Sequence, residues 1–203
     1  MLLETVRAVT SSCRALSIGR VEDGLLHTVD STQPLAAGLD ALQYMDDGPS
    51  PMSVDYGTRV EARLGPPDAD WGLLGFAGRL VGVGSVLSLP VPLDGAVAGT
   101  LTLYGGDADA FDRHLPRLTG ALSKAISEAV SDAAEPLRHR LTTALLPEPI
   151  RDQNAIDWAI GSVAGHLHIH AAVAADLFRR AATRSGLSDS ALAVQVTEWL
   201  GAT

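Results

Sequence analysis

Three histidines, His166, His168 and His170, alternate with apolar residues late in the chain, and their type and spacing could hold a metal. On a helix, His166 and His170 share a face one turn apart, as zinc-binding pairs do. On an extended strand all three share one face. Zinc also requires a third or fourth protein ligand, itself fixed by outer hydrogen bonds. No cysteine stands nearby, and Asp176 is the nearest downstream carboxylate. Surface histidines are most often simply solvated, so no metal is expected, and the alternative use of the stretch is a turn ahead of a helix.

The second candidate is the arginine cluster in "LFRRAATR". Arg180 and Arg184 are i,i+4 neighbours on one helical face, while Arg179 points elsewhere. Guanidinium forks suit phosphates and unpaired RNA bases. A solvated helix face uses the same residues. With Arg151 upstream, the set makes a small electrostatic footprint for nucleic acid.

Other chemistry is poorly provided for. Cys13 is the single cysteine, which excludes an internal disulfide and reads as a small core residue. Ser85 lacks the G-x-S-x-G elbow, and "GLLGFAG" has no following Lys-Ser/Thr for a phosphate loop. Aromatic residues make up 4% of the chain, little stacking material for a tetrapyrrole or flavin. No catalytic residue and no cofactor is expected.

The 203 residues, 46% hydrophobic and 19% charged, fit one large or two small globular domains. No apolar run approaches the roughly 20 residues of a membrane helix. Glu4 stands where a secretory signal would be basic, so a cytoplasmic protein is expected. The net charge of −9 repels polyanions at long range, but it is unevenly spread. Residues 1–134 hold nine arginines and lysines against seventeen acids, whereas residues 135–203 hold six against seven. Any nucleic-acid contact belongs to the last third.

The elements that must position these groups follow from the pattern. A short helix precedes two strand-like runs around Glu22-Asp23-Gly24, and a second such pair surrounds Leu93-Asp94-Gly95. Leu35, Leu39, Leu42 and Met45 line one face of a helix. "DDGPSPMSVDYG" reads as a loop, and "WGLLGFAGRL" as a helix. Hairpin-joined strands with interspersed helices predict an antiparallel sheet in an α+β fold. From about residue 110 the pattern becomes long and helical, with Leu115, Leu118 and Leu122 on a seam suited to pairing two chains. Pro136 and "LLPEPI" interrupt it, and three amphipathic helices follow over about 150–165, 170–185 and 188–201. The chain thus divides into 1–134, a helical connector or hinge at 135–149, and a three-helix bundle at 150–203.

Two resemblances cover most of the chain. Asp47-Gly48-Pro49-Ser50, Trp71, Gly82 to Val91 and Gly99 to Tyr104 resemble the ordered motifs of GAF sensor domains in actinobacterial signalling proteins. Residues 155–200 resemble an ANTAR domain, a three-helix RNA-binding module of transcription antitermination regulators. Ile156, Ala159 and Gly161 match its first helix; Ala174, Phe178, Arg179, Arg180 and Ala182 match the second; Ala193 matches the third. The departures are Gln153 for an arginine, Ile160 for Lys or Gln, and Ser188 for a basic residue. The resemblance implies a homodimeric regulator that binds paired stem-loops in nascent RNA under control of a small-molecule or protein signal at the GAF domain. The alternative is a degenerate bundle that serves dimerisation or a protein partner, with an exposed Ile160 in the contact.

Overall fold

The computed structural model describes residues 2–65, 70–113, 116–118, 122 and 153–201. Helix α1 (Leu2–Val9) leads into the hairpin β1 (Cys13–Glu22) and β2 (Leu25–Ser31). Helices α2 (Pro34–Met45) and α3 (Pro49–Tyr56), strand β3 (Val60–Arg63) and helix α4 (Gly72–Leu80) follow. The hairpin β4 (Ser85–Leu93) and β5 (Ala96–Gly105) closes the sheet. Helices α5 (Gln153–Leu167), α6 (Ala171–Arg184) and α7 (Asp189–Leu200) form the C-terminal bundle.

The five strands lie in the order β2-β1-β5-β4-β3, and every pairing is antiparallel. Both hairpins turn on Asp-Gly. Asp23 and Gly24 have φ of 52° and 77°, and Asp94 and Gly95 have 51° and 84°. Two positive φ values in succession define the tight turn that matches strand twist, and Gly adopts them without steric cost.

Alternation along the strands gives the sheet two different faces. Leu16, Ile18, Leu87, Leu89, Leu101 and Leu103 join Val6 of α1, Phe111, Leu118 and Leu122 in one apolar cluster. The opposite face carries Ala15, Ser17, Thr28, Val86, Ser88, Thr100, Thr102 and Tyr104, all buried. Helices α2 and α3 cover it, α2 over β1 and β2 and α3 over β4 and β5.

Helix α2 is the centre of the molecule. Its residues from Ala36 to Met45 are all buried, ten in a row. A helix buried on every side needs neighbours all round. The sheet supplies one side; α4, α6 and α7 supply the others. Ile156, Ala159, Val163, Ala174, Phe178, Ala182, Leu192, Ala193, Val196 and Trp199 belong to the same core cluster as Leu39 and Leu42. The C-terminal helices thus complete the core above α2. At Gly38 an added Cβ would lie 1.8 Å from Gln195 Oε1 and 2.5 Å from the Trp199 ring, so the missing side chain lets α7 seat on α2.

Two expectations are corrected. The "DDGPSPMSVDYG" stretch contains helix α3, begun by Pro49 in its first turn and closed by Gly57 at φ 63°. Proline's fixed φ and lost N–H suit a first helical turn, so the same residues that suggest a loop start a helix. Ile160 is 8% exposed and packs in the core, so it is no surface contact. The proposed hinge at 135–149 and Arg151 lie outside the described residues.

Candidate functional site

The polar face of the sheet and the inward face of α2 enclose a buried hydrogen-bonded network. Register sets its rows: Ser17 and Ser88 each pair with Thr102, and Ala15 and Val86 each pair with Tyr104. From above, Asp40, Gln43 and Tyr44 descend from α2 at the i, i+3, i+4 spacing of one helical face. The Asp40 carboxylate is fully buried. It accepts from Ser17 Oγ at 3.0 Å, from Thr28 Oγ1 at 2.8 Å, and from the Tyr104 hydroxyl through a short bond. Gln43 Nε2 donates to the Tyr104 oxygen at 2.7 Å, and its Oε1 accepts from the Ser50 backbone N–H at 2.8 Å. Ser50 Oγ lies 2.6 Å from Thr102 Oγ1, so the first turn of α3 is tied to β5.

Burial disfavours the charged form of Asp40 and pushes its carboxyl up to about 6, against the three donated hydrogen bonds that hold it down. The same desolvation, with the Asp40 charge beside it, drives the Tyr104 hydroxyl well above its ordinary range. Tyr104 therefore stays neutral and donates a hydrogen bond to Asp40.

The network has one exit toward the C-terminal helices. Thr28 Oγ1 and the Tyr44 hydroxyl are 2.7 Å apart. The Tyr44 ring carries the Arg184 guanidinium 4.2 Å above its centroid. Arg184 Nε donates to the Leu26 carbonyl of β2 at 2.9 Å. A cation over an aromatic face is attracted by the ring's quadrupole, more strongly where water is excluded. Asp40, Thr28, Tyr44 and Arg184 thus form a continuous contact path from the sheet to the end of α6.

The residues singled out in sequence fall as follows. Arg179 and Arg180 are exposed on α6, and Arg180 Nη2 pairs with Asp176 Oδ2 at 2.8 Å one turn away. Arg184 is half-buried and faces strand β2, so the i,i+4 spacing with Arg180 does not make one outward patch. Ile156, Ala159, Ala174, Ala182 and Ala193 are buried in the bundle core, whereas Gly161 is exposed and faces open space.

The departures have structural uses. Gln153 Nε2 donates to Asp157 Oδ1 at 2.8 Å, and Ser188 Oγ accepts from Ala191 N at 3.1 Å as the N-cap of α7. The histidines do three different jobs. His170 Nδ1 accepts from Ala172 N at 3.3 Å to cap α6, and His168 makes the turn at φ 54°. His166 Nδ1 lies 3.0 Å from the Ser162 carbonyl, and its ring sits 5.3 Å from that of Phe76 on α4. Among the described residues no three His, Cys, Asp or Glu side chains converge to hold a metal ion.

Cys13 is 1% exposed, and burial pushes its thiol up to about 11, which keeps it protonated and inert. It borders a shallow depression of about 320 Å³ lined also by Arg7, Arg14, Ser12 and Asp107. The Asp107 carboxylate, bonded to Ser12 Oγ at 2.6 Å, sits inside it and opposes an anion there.

Sequence reasoning missed the network because Ser17, Thr28, Thr100 and Thr102 look like a solvent-facing strand register. The available signal was in α2, where Asp40, Gln43 and Tyr44 share one face of an otherwise apolar helix.

The structure defines an α+β protein with a five-stranded antiparallel sheet flanked by helices, compatible with a GAF-like domain. Among the described residues no helix is long and apolar enough to cross a membrane. No protein-family model matches the chain, and no curated protein matches it. Similar solved structures include the following three. A type II free methionine-R-sulfoxide reductase from Thermoplasma acidophilum is 14% identical over 64% of this chain and 87% of its own, with a TM-score of 0.46. A domain assigned to a two-component sensor histidine kinase protein from Sinorhizobium meliloti is 15% identical over 68% of this chain and 92% of its own, with a TM-score of 0.47. The phytochrome photosensory core module of Stigmatella aurantiaca is 9% identical over 91% of this chain and 40% of its own, with a TM-score of 0.36. At these identities and TM-scores none of them carries an argument about this chain.

Proposed function

We propose that the protein is a signal-responsive regulator of RNA, in which a GAF-type sensor (the sheet with α1–α4) governs a C-terminal ANTAR-type module (α5–α7). The module binds adjacent stem-loops in a transcript, and two copies of the chain act together. The observation that carries this reading is the placement of Arg179 and Arg180, exposed on the outer side of α6 while its apolar face is buried. Arginines held on a rigid helix present their donors to phosphates and unpaired bases with little reorganisation. The motif resemblance in both halves of the chain supports the same assignment.

The test is titration of the full chain against an RNA with two adjacent stem-loops, across a salt series. Binding should weaken steeply with salt, and an Arg179→Ala, Arg180→Ala double variant should lose it. A second reading, a helical module that binds protein instead, is favoured by one observation. Arg184 is turned inward and Arg180 is paired with Asp176, which leaves Arg179 alone of the three without a side-chain partner among the described residues. Salt-insensitive association, or no RNA complex over several loop sequences, selects that reading.

A further inference from the structure

We infer that Arg184 is the latch of a closed state, and that its seat on Tyr44 competes with RNA binding by the C-terminal module. The inference rests on the RNA reading above and supplies its regulation. Of the three arginines on α6, Arg184 alone crosses to the sensor. It is held there twice, by the Leu26 carbonyl at 2.9 Å and by the Tyr44 ring at 4.2 Å. While it is held, the module lacks one of its cations, and α6 and α7 stay pressed on α2.

The rest of the contact is built to separate. Gln195 Oε1, beside Gly38, is buried without a hydrogen-bond partner among the described residues. Gln195 Nε2 reaches the Pro34 carbonyl only at 3.5 Å. Buried polar groups left unpaired subtract from docking, and water would satisfy them on opening. His166 on Phe76 and Trp199 beside Gly38 add apolar contact without a directional bond. Arg184 therefore supplies the specific tie. Its aromatic seat belongs to the side chain whose hydroxyl meets Thr28 and, through it, Asp40. A rearrangement of the network under α2 reaches the latch through the Tyr44 ring.

The test separates latch from ligand contact by changing the sensor side only. Tyr44→Leu removes the seat and leaves every module residue in place. Amide hydrogen exchange in α2 and α7 of the full chain should quicken, and affinity for the two-stem-loop RNA should rise about tenfold, the worth of a partly desolvated cation–π contact. The converse variant pairs Gly38→Cys with Gln195→Cys to lock α7 onto α2 under oxidation. The locked protein should lose RNA binding and regain it on reduction. It also answers the question should Tyr44→Leu fail to fold. RNA binding that is equal in locked and reduced protein overturns the latch and leaves the RNA reading intact. Absence of binding by every form, including Tyr44→Leu with quickened exchange, overturns the RNA reading and with it the competition.

Discussion

Replacing Asp40 with Asn should remove a loss of stability that the buried carboxyl imposes as pH rises. The folded carboxyl sits at about 6 against an ordinary value of 3.8. Below the ordinary value both states are protonated and nothing is lost. As pH rises the unfolded chain releases its proton first, so the folded state is progressively disfavoured until pH passes about 6. A difference of about two pH units corresponds to roughly 3 kcal/mol, of which about 2 kcal/mol falls between pH 4.5 and 7. His27 works in the opposite sense. Burial, and then the charges of Arg184 and Arg20, lower its pKa, so its contribution is lost as pH falls through the 6.5 of the unfolded imidazole. Both proteins contain His27, so the difference between them isolates Asp40. Urea unfolding of wild type and Asp40→Asn, followed by circular dichroism at several pH values from 4.5 to 8, measures it. The stability of the variant relative to wild type should climb by about 2 kcal/mol across that range. A flat difference would refute an Asp40 that is buried and titrates near 6.

Further outcomes follow from packing and capping. Gly38→Ala should lower stability by up to about 2 kcal/mol, because overpacking against Trp199 exceeds the helix-propensity gain of about 1 kcal/mol. Stabilisation in thermal melts would show that α7 does not seat there. Phe178→Ala, at a fully buried position, should cost about 3–5 kcal/mol in denaturant unfolding. Ser188→Ala removes the N-cap of α7 and should cost about 1 kcal/mol in the same assay. Cys13 should resist alkylation in native protein and react once urea unfolds it, as mass spectrometry of iodoacetamide-treated samples would show.

Local signals were strong where a residue type has one conformational use. The two Asp-Gly turns fixed both hairpins, and the apolar spacing of Ile156, Ala159 and Val163, of Phe178 and Ala181, and of Leu192, Val196 and Trp199 found the three C-terminal helices. Helix α3 was illegible because Pro49, Pro51 and Gly57 mark loops and helix ends alike. Strand β3 is four residues at a sheet edge with only Ala62 buried, too little for a period-2 pattern. The site was illegible for a deeper reason. A polar strand face is ordinarily a wet one, and only the covering by α2 and α3 makes Thr102 and Tyr104 interior. Likewise the spacing of Arg180 and Arg184 says that they are neighbours on a helix, but not that Tyr44 and the Leu26 carbonyl claim one of them.

Helix α2 is a party wall. Its lower side is furniture of the sheet and its upper side is the seat of the C-terminal bundle, with no third side left to solvent. Each half of the protein therefore owns a surface the other must fit. A sheet half taken from another protein would arrive with the wrong shelf for α6 and α7. A chain cut short before Gln153 would bare the Gly38 side of α2 to water and cling to other copies. The sheet half and the C-terminal bundle are less two modules on a string than two rooms that share one warm wall.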